Sequence, residues 1–525
     1  MEDLFDLKCS LSNDLKQMKA LQNGTHLNGD HFDEYLDHDE FRNYGTKMIQ
    51  YVADYLENIE ERKVFPNIKP GYLAKLIPDK APDEPESWEE IMQDVEKFIM
   101  PGVTHWQHPR FHAYFPCGCS YSSICADILS AGISSIGFTW VSNPACTELE
   151  VVMIDWMAKI LGLPNHFLFS KNSGGVIQGS CSESTLVALL AARNKSIKEY
   201  QCFHPNATNY EALSKLVGYY SVQAHSSVER AGLISLLKLR AIESNEHYGM
   251  DTELLEKAIE EDSNNGLTPF FCCATLGTTA TCGFDNLKKI GPICSKYDIW
   301  LHVDAAYSGS AFICPEYRYL MEGIEHAMSF AFNPHKWMLI NFDCSIVWYR
   351  ELNWIRNSFH VDPPYLKHEY QENAVDFRHM HIPLGRRFRS LKIWFTLRRY
   401  GVKKLQAYIR NHIELAHYFK ELMLRDERFE IIAEVVLGLV CFRLKNDNEL
   451  TRQLYHDIED DGRIHLVSSE FELPEPLFFI RFAVCYHSPN KQHIEYAFNV
   501  ISELTEKLLN SNTCHNNDNN INGDS

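Results

Sequence analysis

The prediction of the fold class of this chain starts from the stretch IWLHVDAAY, residues 299–307. Its run 300–303 has the length and character of one buried strand, and it ends at an acidic residue, Asp304. The same strand-like character recurs upstream in KLVGYYSV (215–222) and PFFCCATLGTT (269–279). Helix-like segments lie between these strands, at 251–262 and 286–297. Strand and helix in alternation predict an α/β fold with a mostly parallel sheet covered by helices.

Size, charge and cysteine content limit the classes of protein to which this chain can belong. The chain has 525 residues, which suggests two to three domains, and its net charge of -20 argues against a nucleic-acid or anionic-membrane partner. The 16 cysteines are scattered and form no paired CxxC motifs, so we expect reduced thiols in a cytoplasmic protein. The polar start offers no signal peptide, and no apolar run reaches the roughly 18 residues of a membrane span.

Composition changes along the chain predict its domain organisation. Both ends are polar, and the tail is rich in asparagine, so we expect them to be disordered. After about residue 390 the alternation gives way to long helices and then strands, which predicts a smaller α+β domain. The predicted parts are a flexible extension 1–38, an N-terminal helical segment 39–120, a large domain 121–392, a small domain 393–510 and a tail 511–525.

The stretch SFAFNPHKWMLINFDC, residues 329–344, places Lys336 among apolar and aromatic residues. A lysine removed from water has a lowered pKa, and its neutral amine is a nucleophile toward an aldehyde. Taken alone, Lys336 is more readily explained as a lysine whose stem packs on Trp337 while its amine reaches solvent.

Three further features are each weak evidence by themselves. Asp304 follows a strand at the edge where parallel sheets bind ligands, although an ion pair with an arginine would explain it equally well. His225 lies between a strand-like run and a helix, where a capping or core histidine is common. The loop GSCSES (179–184) opens a helix with small and hydroxyl residues, which suits an anion.

The four features together fit one ligand. A carboxylate for a protonated ring nitrogen, a lysine for an aldehyde, a histidine for a ring face and a phosphate-binding helix start match pyridoxal 5'-phosphate (PLP). The sequence therefore predicts a PLP site built around Lys336, Asp304 and His225.

From about residue 39 to 508 the chain resembles the group II PLP-dependent amino acid decarboxylases, first those acting on aromatic L-amino acids and then those acting on histidine. The matching motifs are long: PGYLAKLIP (70–78), MPGVTHWQHP (100–109), NPACTELE (143–150), QAHSSVERAGL (223–233), ATLGTT (274–279), WLHVDAAYSGSAFICPE (300–316), NPHKW (333–337) and IPLGRRFRSLK (382–392). The resemblance implies the fold type I, aspartate aminotransferase-like architecture for the large domain. It also implies a homodimer, with 39–120 contributing to dimerisation and sites at the subunit interface.

The resemblance also implies roles for single residues. Lys336 would bind the cofactor covalently, Asp304 would pair with its ring nitrogen, and His225 and Ala306 would pack on the two faces of the ring. Phosphate and ring oxygen would be held by Cys181, Ser182, Ser329, Asn333, His335 and Thr279. The mobile loop of the family matches 360–373 and places its catalytic tyrosine at Tyr365, which could otherwise be an ordinary surface tyrosine.

The substrate is expected to be an aromatic amino acid such as L-DOPA or 5-hydroxytryptophan. Gly385 matches the aromatic enzymes, whereas histidine decarboxylases resemble this stretch but carry serine there. Aldehyde synthases resemble the chain too, but insect ones typically carry asparagine at position 225 and plant ones phenylalanine at 365. Histidine decarboxylation, aldehyde synthesis and a non-catalytic dimer remain alternatives. The substrate ring would lie near Trp106, Tyr114, Phe115, Pro116, Cys117 and Gly385, with Ile136 and Phe138 from the partner subunit.

Several positions depart from the pattern of the family. Cys117, Gly118 and Cys119 replace its usual Thr-Ala-Asn, and Cys181 stands where alanine is common. Further departures are Ser173 in place of a glycine, and Met380 and His381 in place of tryptophan and glutamine. Two cysteines without a second pair do not predict a metal site.

Overall fold

The computed structural model describes residues 37–371, 373–471 and 476–521. The predicted extension 1–38 therefore lies outside the described residues except for its last two. The described residues divide into two compact units, one that comprises 37–58 and 82–92 and one that comprises 59–81 and the described residues from 93 onward.

In the first unit, helix α1 (His38–Glu57) begins where the Asp37 side chain accepts hydrogen bonds from two backbone N–H groups. Helix α2 (Trp88–Asp94) follows a capping box formed by Ser87 and Glu90. The N–H of Ser87 donates to the Glu90 carboxylate at 2.9 Å, and the N–H of Glu90 donates to the Ser87 hydroxyl at 3.3 Å.

Two further helices precede the large sheet. They are α3 (Tyr121–Ile133) and α4 (Pro144–Leu161). Helix α4 starts at the Asn143 side chain, which accepts from the N–H of Cys146, and stops at Gly162, whose φ of 77° is readily adopted by glycine.

The large sheet has seven strands. They are β1 (Gly174–Gln178), β2 (Leu216–Ser221), β3 (Lys238–Ile242), β4 (Thr268–Thr275), β5 (Trp300–Asp304), β6 (Ser329–Phe332) and β7 (Ser345–Tyr349), in the order β1-β7-β6-β5-β4-β2-β3. Strands β2 to β6 are parallel, and only β7 runs antiparallel to both of its neighbours. The prediction of a mostly parallel sheet is confirmed.

Helices surround this sheet. They are α5 (Cys181–Phe203), α6 (Asn209–Lys215), α7 (Ser227–Ser235), α8 (Thr252–Asn264), α9 (Leu287–Lys296), α10 (Pro334–Trp337) and α11 (Leu352–Phe359). Helices α8 and α9 are those predicted at 251–262 and 286–297. Each begins where the side chain before it, Asp251 or Asn286, accepts hydrogen bonds from the first turn.

The C-terminal part forms a second, antiparallel sheet. Helix α12 (Ser390–Arg425), kinked at Gly401, leads to β8 (Phe429–Ile431), β9 (Leu439–Leu444), helix α13 (Asn448–Asp461), β10 (Val467–Phe471), β11 (Leu477–Ala483) and helix α14 (Lys491–Ile521). The strand order is β10-β11-β9-β8. The described backbone stays helical to Ile521, although 511–525 is predicted to be disordered. Extending an existing helix fixes one residue per added hydrogen bond, so even a polar continuation is inexpensive.

Within the described ranges, none of the helices combines the length and apolar character needed to cross a bilayer.

Candidate active site

A cavity of about 170 Å³ lies beyond the carboxyl ends of strands β4 and β5. This is the edge at which open α/β sheets bind ligands. Nine residues that the sequence predicts for the site line this one cavity: Phe115, Cys181, Ser182, His225, Thr279, Asp304, Ala306, Asn333 and Lys336. Segments that are far apart in the chain therefore meet where the sequence analysis expects them to meet.

Asp304 is fixed at the end of β5. Its carboxylate accepts a hydrogen bond from the N–H of Ala306 at 2.9 Å, and the residue is buried. Strand pairing places Asp304 directly beside Thr275 of β4. No arginine or lysine forms an ion pair with Asp304 among the described residues, so the structural ion pair considered above does not account for it.

Lys336 enters the cavity from the short helix α10. Its Nζ lies 5.4 Å from the centre of the Phe115 ring. Burial lowers the pKa of the Lys336 amine, Asp304 and Cys181 partly oppose the lowering, and Arg481 adds to it. The amine is therefore more readily deprotonated, and more nucleophilic, than an ordinary lysine.

The ring of His225 is oriented by Ser227, two residues further along the same turn. The N–H of Ser227 donates to His225 Nδ1 at 3.1 Å, and the Ser227 hydroxyl lies 2.9 Å from the same nitrogen. Because Nδ1 accepts, the proton of the neutral ring is on Nε2. Burial lowers the pKa of His225, and the charge of Lys336 contributes in the same direction, while Asp304 opposes it.

Another part of the cavity wall is formed by the start of helix α5. The Ser180 side chain caps this helix by accepting from the N–H of Glu183 at 3.2 Å, and Cys181 and Ser182 are its first residues. The positive end of a 23-residue helix therefore faces the cavity and suits a phosphate.

Two buried polar atoms test whether the site fits PLP. Thr275 Oγ1 and Asn333 Oδ1 are shielded from water and have no hydrogen-bond partner among the described residues, and both residues line the cavity. Buried polar atoms are rarely left unpaired, so a polar ligand is expected there. An amine, a carboxylate, a helix start and these two atoms on one cavity match the groups that PLP carries.

Other predicted residues lie elsewhere in the structure. Ser329 does not line the cavity, because its hydroxyl is buried between β5 and β6, 2.9 Å from Trp300 Nε1 and 2.8 Å from His302 Nδ1. His335 Nδ1 accepts from the N–H of Cys344 at 2.9 Å, and its ring is outside the cavity wall. Of the predicted substrate-binding residues, only Phe115 lines the cavity, whereas Trp106, Tyr114, Pro116, Cys117, Ile136, Phe138 and Gly385 do not. Tyr365 is also outside it.

Some residues of the cavity wall are not predicted from the sequence. They are Ser227, Thr275, Gly277 and Tyr307, which complete the wall together with Ser180 of the GSCSES loop. Arg481 is buried beside it, 5.2 Å from the Phe115 ring, and lines a neighbouring cleft of about 410 Å³ together with His225 and Thr279. Thr275 could have been found by its place at the end of a strand, but Arg481 carries no local signal because it lies in the middle of β11.

The departures from the family pattern have local structural consequences. The Ser173 hydroxyl donates to the carbonyl of Leu168 at 2.7 Å, so this serine ties the loop before β1. Burial raises the pKa of Cys117, and burial together with Cys117 raises that of Cys119 to about 11, so both thiols stay protonated. No group of three metal-ligating side chains is present in the described part of the chain. Met380 and His381 are buried away from the cavity.

Comparisons with known proteins identify the family that this chain resembles. Residues 70–445 match the family described as the pyridoxal-dependent decarboxylase conserved domain. The chain is 54% identical over 471 residues to the aromatic-L-amino-acid decarboxylase of Drosophila melanogaster, covering 89% of this chain and 92% of that protein. Among solved structures, the Oryza sativa TDC with PLP and tryptamine aligns with a TM-score of 0.86 and 32% identity, over 91% of this chain and 99% of that one. The Rhodiola rosea 4-hydroxyphenylacetaldehyde synthase aligns with a TM-score of 0.83 and 36% identity, over 90% and 99%.

Proposed function

This chain belongs to the pyridoxal-dependent decarboxylase family, and we propose that it converts L-DOPA, 5-hydroxytryptophan or a closely related aromatic L-amino acid to the amine and CO2. The observation that carries the proposal is the single cavity shared by Lys336, Asp304 and His225. The 54% identity to an aromatic-L-amino-acid decarboxylase supports an aromatic substrate.

Each lining residue has a role that follows from its chemistry. Lys336 would hold the aldehyde carbon of the cofactor, Asp304 would keep a proton on the ring nitrogen, and His225 and Ala306 would cover the two ring faces. The phosphate would be held by Cys181, Ser182 and Asn333, with His335 behind them, and Thr279 would contact the ring oxygen. Ser329 is left out of this set because its hydroxyl is already used between the strands. Bound PLP supplies an electron-withdrawing ring that takes up the electron pair left by departing CO2.

Arg481 suits the carboxylate of an amino acid substrate. It lines the cleft beside His225, and in the described part of the chain no carboxylate pairs with it. Its guanidinium donates to the carbonyls of Ala280 and Tyr114 at 2.9 and 3.2 Å, which fixes its position. A buried, oriented cation at the cleft would draw the anionic end of the substrate toward the cavity.

Product analysis tests the proposed reaction. The purified protein should release CO2 and amine in equal amounts from one or more of DOPA, 5-hydroxytryptophan, tyrosine and tryptophan. Faster turnover of histidine would favour a histidine decarboxylase, which Gly385 argues against. Aldehyde, ammonia and peroxide as the main products would favour an aldehyde synthase, the activity that the name of the Rhodiola relative gives for that protein.

Tyr365 is proposed to deliver the proton that replaces CO2 on the α-carbon. It lies on a 3₁₀ turn, Pro364–Leu366, is 78% exposed and does not line the cavity of its own chain. Proton delivery by Tyr365 therefore requires a movement of the loop or the cavity of a partner subunit.

We expect Tyr365→Phe to lower amine formation by about 10²-fold, because general acid catalysis typically contributes that much, and to raise the share of aldehyde. Amine, aldehyde and peroxide are measured in one assay. Tyr370→Phe is the matched control, since Tyr370 is in the same loop but packs on Trp140 at 4.9 Å. Unchanged amine output from Tyr365→Phe would remove Tyr365 from the mechanism.

We propose a homodimer whose interface includes helix α3. Tyr121, Cys125, Ile128, Leu129 and Ile133 are all exposed and recur at helical spacing, which gives an outward apolar stripe. Stripes of this kind commonly mark protein–protein contacts. The dimer would also bring Ile136 and Phe138 of the second copy to the substrate.

Leu129→Asp should therefore convert the dimer to monomers and abolish most of the activity, because a charge cannot be buried unpaired in the interface. Size-exclusion chromatography with light scattering measures the mass. Leu233→Asp is the control, since Leu233 is also apolar and 71% exposed but lies on α7. A Leu129→Asp protein that remains dimeric would exclude α3 from the interface.

A cytoplasmic location is proposed as well. It is supported by the free thiols of the described cysteines, several of them exposed or half-buried, as is typical of a reducing compartment. Cell fractionation with a tagged protein tests it, and recovery from an oxidising compartment would contradict it.

A further inference from the structure

Four buried rings connect the cavity wall to the C-terminal part of the chain. Phe115 stacks on Tyr307 with ring centres 4.0 Å apart, and Tyr307 stacks on Trp337 at 4.8 Å. The Trp337 indole N–H then donates to His412 Nδ1 on helix α12 at 3.0 Å. We call Phe115, Tyr307, Trp337 and His412 the ring stack.

The ring stack supports Lys336 on two sides. Trp337 is the next residue in the four-residue helix α10, so its indole and the Lys336 side chain share one short backbone segment. Phe115 presents its ring to Lys336 Nζ at 5.4 Å. A displacement of any ring in the stack would therefore move both the backbone of Lys336 and the Phe115 ring against which its amine lies.

The far side of the stack is held by the C-terminal part. The N–H of Gly438 donates to the Tyr307 hydroxyl at 3.2 Å, and a Cβ at position 438 would come within 2.8 Å of that oxygen. Glycine therefore permits the close approach. The carbonyl of Val484 also lies 3.1 Å from His412 Nδ1, but one ring nitrogen cannot donate to that carbonyl and accept from the indole at once. An indole nitrogen can only donate, so Nδ1 is the acceptor in the bond to Trp337, the ring proton is on Nε2, and the Val484 carbonyl is not a hydrogen-bond partner of His412.

We propose that His412 is a positioning residue for Lys336 and acts through the ring stack. This inference rests on the proposed role of Lys336. Loss of the acceptor leaves the buried indole N–H unpaired, which is costly, so Trp337 shifts toward another partner and carries Lys336 with it. A misplacement of the reactive group of this kind impairs catalysis without any change in the residues that contact the substrate.

The test compares His412→Phe, which keeps a ring but removes the acceptor, with His412→Asn, which keeps an acceptor near the Nδ1 position. Three quantities are measured: the dissociation constant for PLP, the circular dichroism per bound cofactor, and kcat and KM separately. We expect His412→Phe to weaken PLP binding about tenfold and to lower both the dichroism and kcat at least as much, with KM changed by less than about twofold. His412→Asn should recover most of each loss.

Tyr408→Phe is the matched control, because Tyr408 lies against His412 with ring centres 4.3 Å apart but is outside the stack. It should behave like the wild type. If His412→Phe does not fold, Trp337→Phe removes the same hydrogen bond from its donor side and should give the same pattern.

Wild-type dichroism and PLP affinity in His412→Phe, or an equal loss in His412→Asn, would overturn the inference. These outcomes leave the proposed function intact. That proposal fails separately, if Lys336→Ala still binds the cofactor covalently.

Discussion

Lys336→Ala is expected to lose the absorbance of the covalently bound cofactor and to lower kcat by on the order of 10³-fold or more. The cavity offers no other lysine, since Lys336 is the one amine among the residues that line it. The variant should still bind PLP weakly, because the start of helix α5, Asn333 and Asp304 remain in place. Absorbance spectra, reduction with borohydride followed by mass spectrometry, and kcat measure the effect.

The stability of Lys336→Ala separates a functional lysine from a structural one. Among the described residues the side-chain amine of Lys336 makes no hydrogen bond or ion pair, and the bond from its backbone N–H to the carbonyl of Asn333 is kept by alanine. Removal of the amine from the apo protein should therefore leave the unfolding midpoint unchanged or slightly raised. Lys392 provides the contrast, because its amine donates to the carbonyls of Asn341 and Asp343 at 3.0 and 2.9 Å. Lys392→Ala should destabilise the apo protein by about 1–3 kcal/mol. A covalent cofactor in Lys336→Ala would contradict the assignment.

The site residues that are easiest to predict from the sequence are those whose charge is unfavourable in apolar surroundings. Lys336 in an apolar run and Asp304 at the end of a buried strand are both costly unless a ligand uses them, and both lie in the cavity. A threonine at a strand end is common, so the position of Thr275 is only a weak signal, and Asn333 is predicted through the family resemblance alone. The fold adds a physical reason for both residues, because it leaves their side-chain oxygens buried without a partner among the described residues.

The parts of the fold that were not predicted depend on long-range pairing. The segment GGVIQ (174–178) has no strand prediction, yet it forms β1, since the Gly175 backbone lies so close to β7 that a Cβ would come 2.5 Å from the carbonyl of Val347. The antiparallel direction of β7 was also not predicted. Its five residues are all buried, and a uniformly apolar run carries no information about direction. Arg481 reaches the site from β11, and no local pattern marks such a residue.

Asp304→Asn is expected to lower kcat by about 10² to 10³-fold, as loss of one preorganised electrostatic partner commonly does. Asparagine keeps the shape, and its side-chain oxygen can still accept from the N–H of Ala306, so the fold and the unfolding midpoint should stay close to those of the wild type. Only the negative charge beside Lys336 and His225 is lost. A kcat equal to that of the wild type would show that the carboxylate is not the partner of the ring nitrogen.

The same variant makes a prediction about pH in the apo protein. Asp304 opposes the lowering of the pKa of Lys336, so removing its charge should lower that pKa further. The amine is then neutral at lower pH, and the pH profile for covalent incorporation of PLP should shift toward acid. Asp304→Glu is the control, since it keeps the charge and should leave the profile nearer to that of the wild type. A profile that shifts toward alkali in Asp304→Asn would contradict the proximity of the two charges, because removing a nearby anion can only make the protonated amine less favourable.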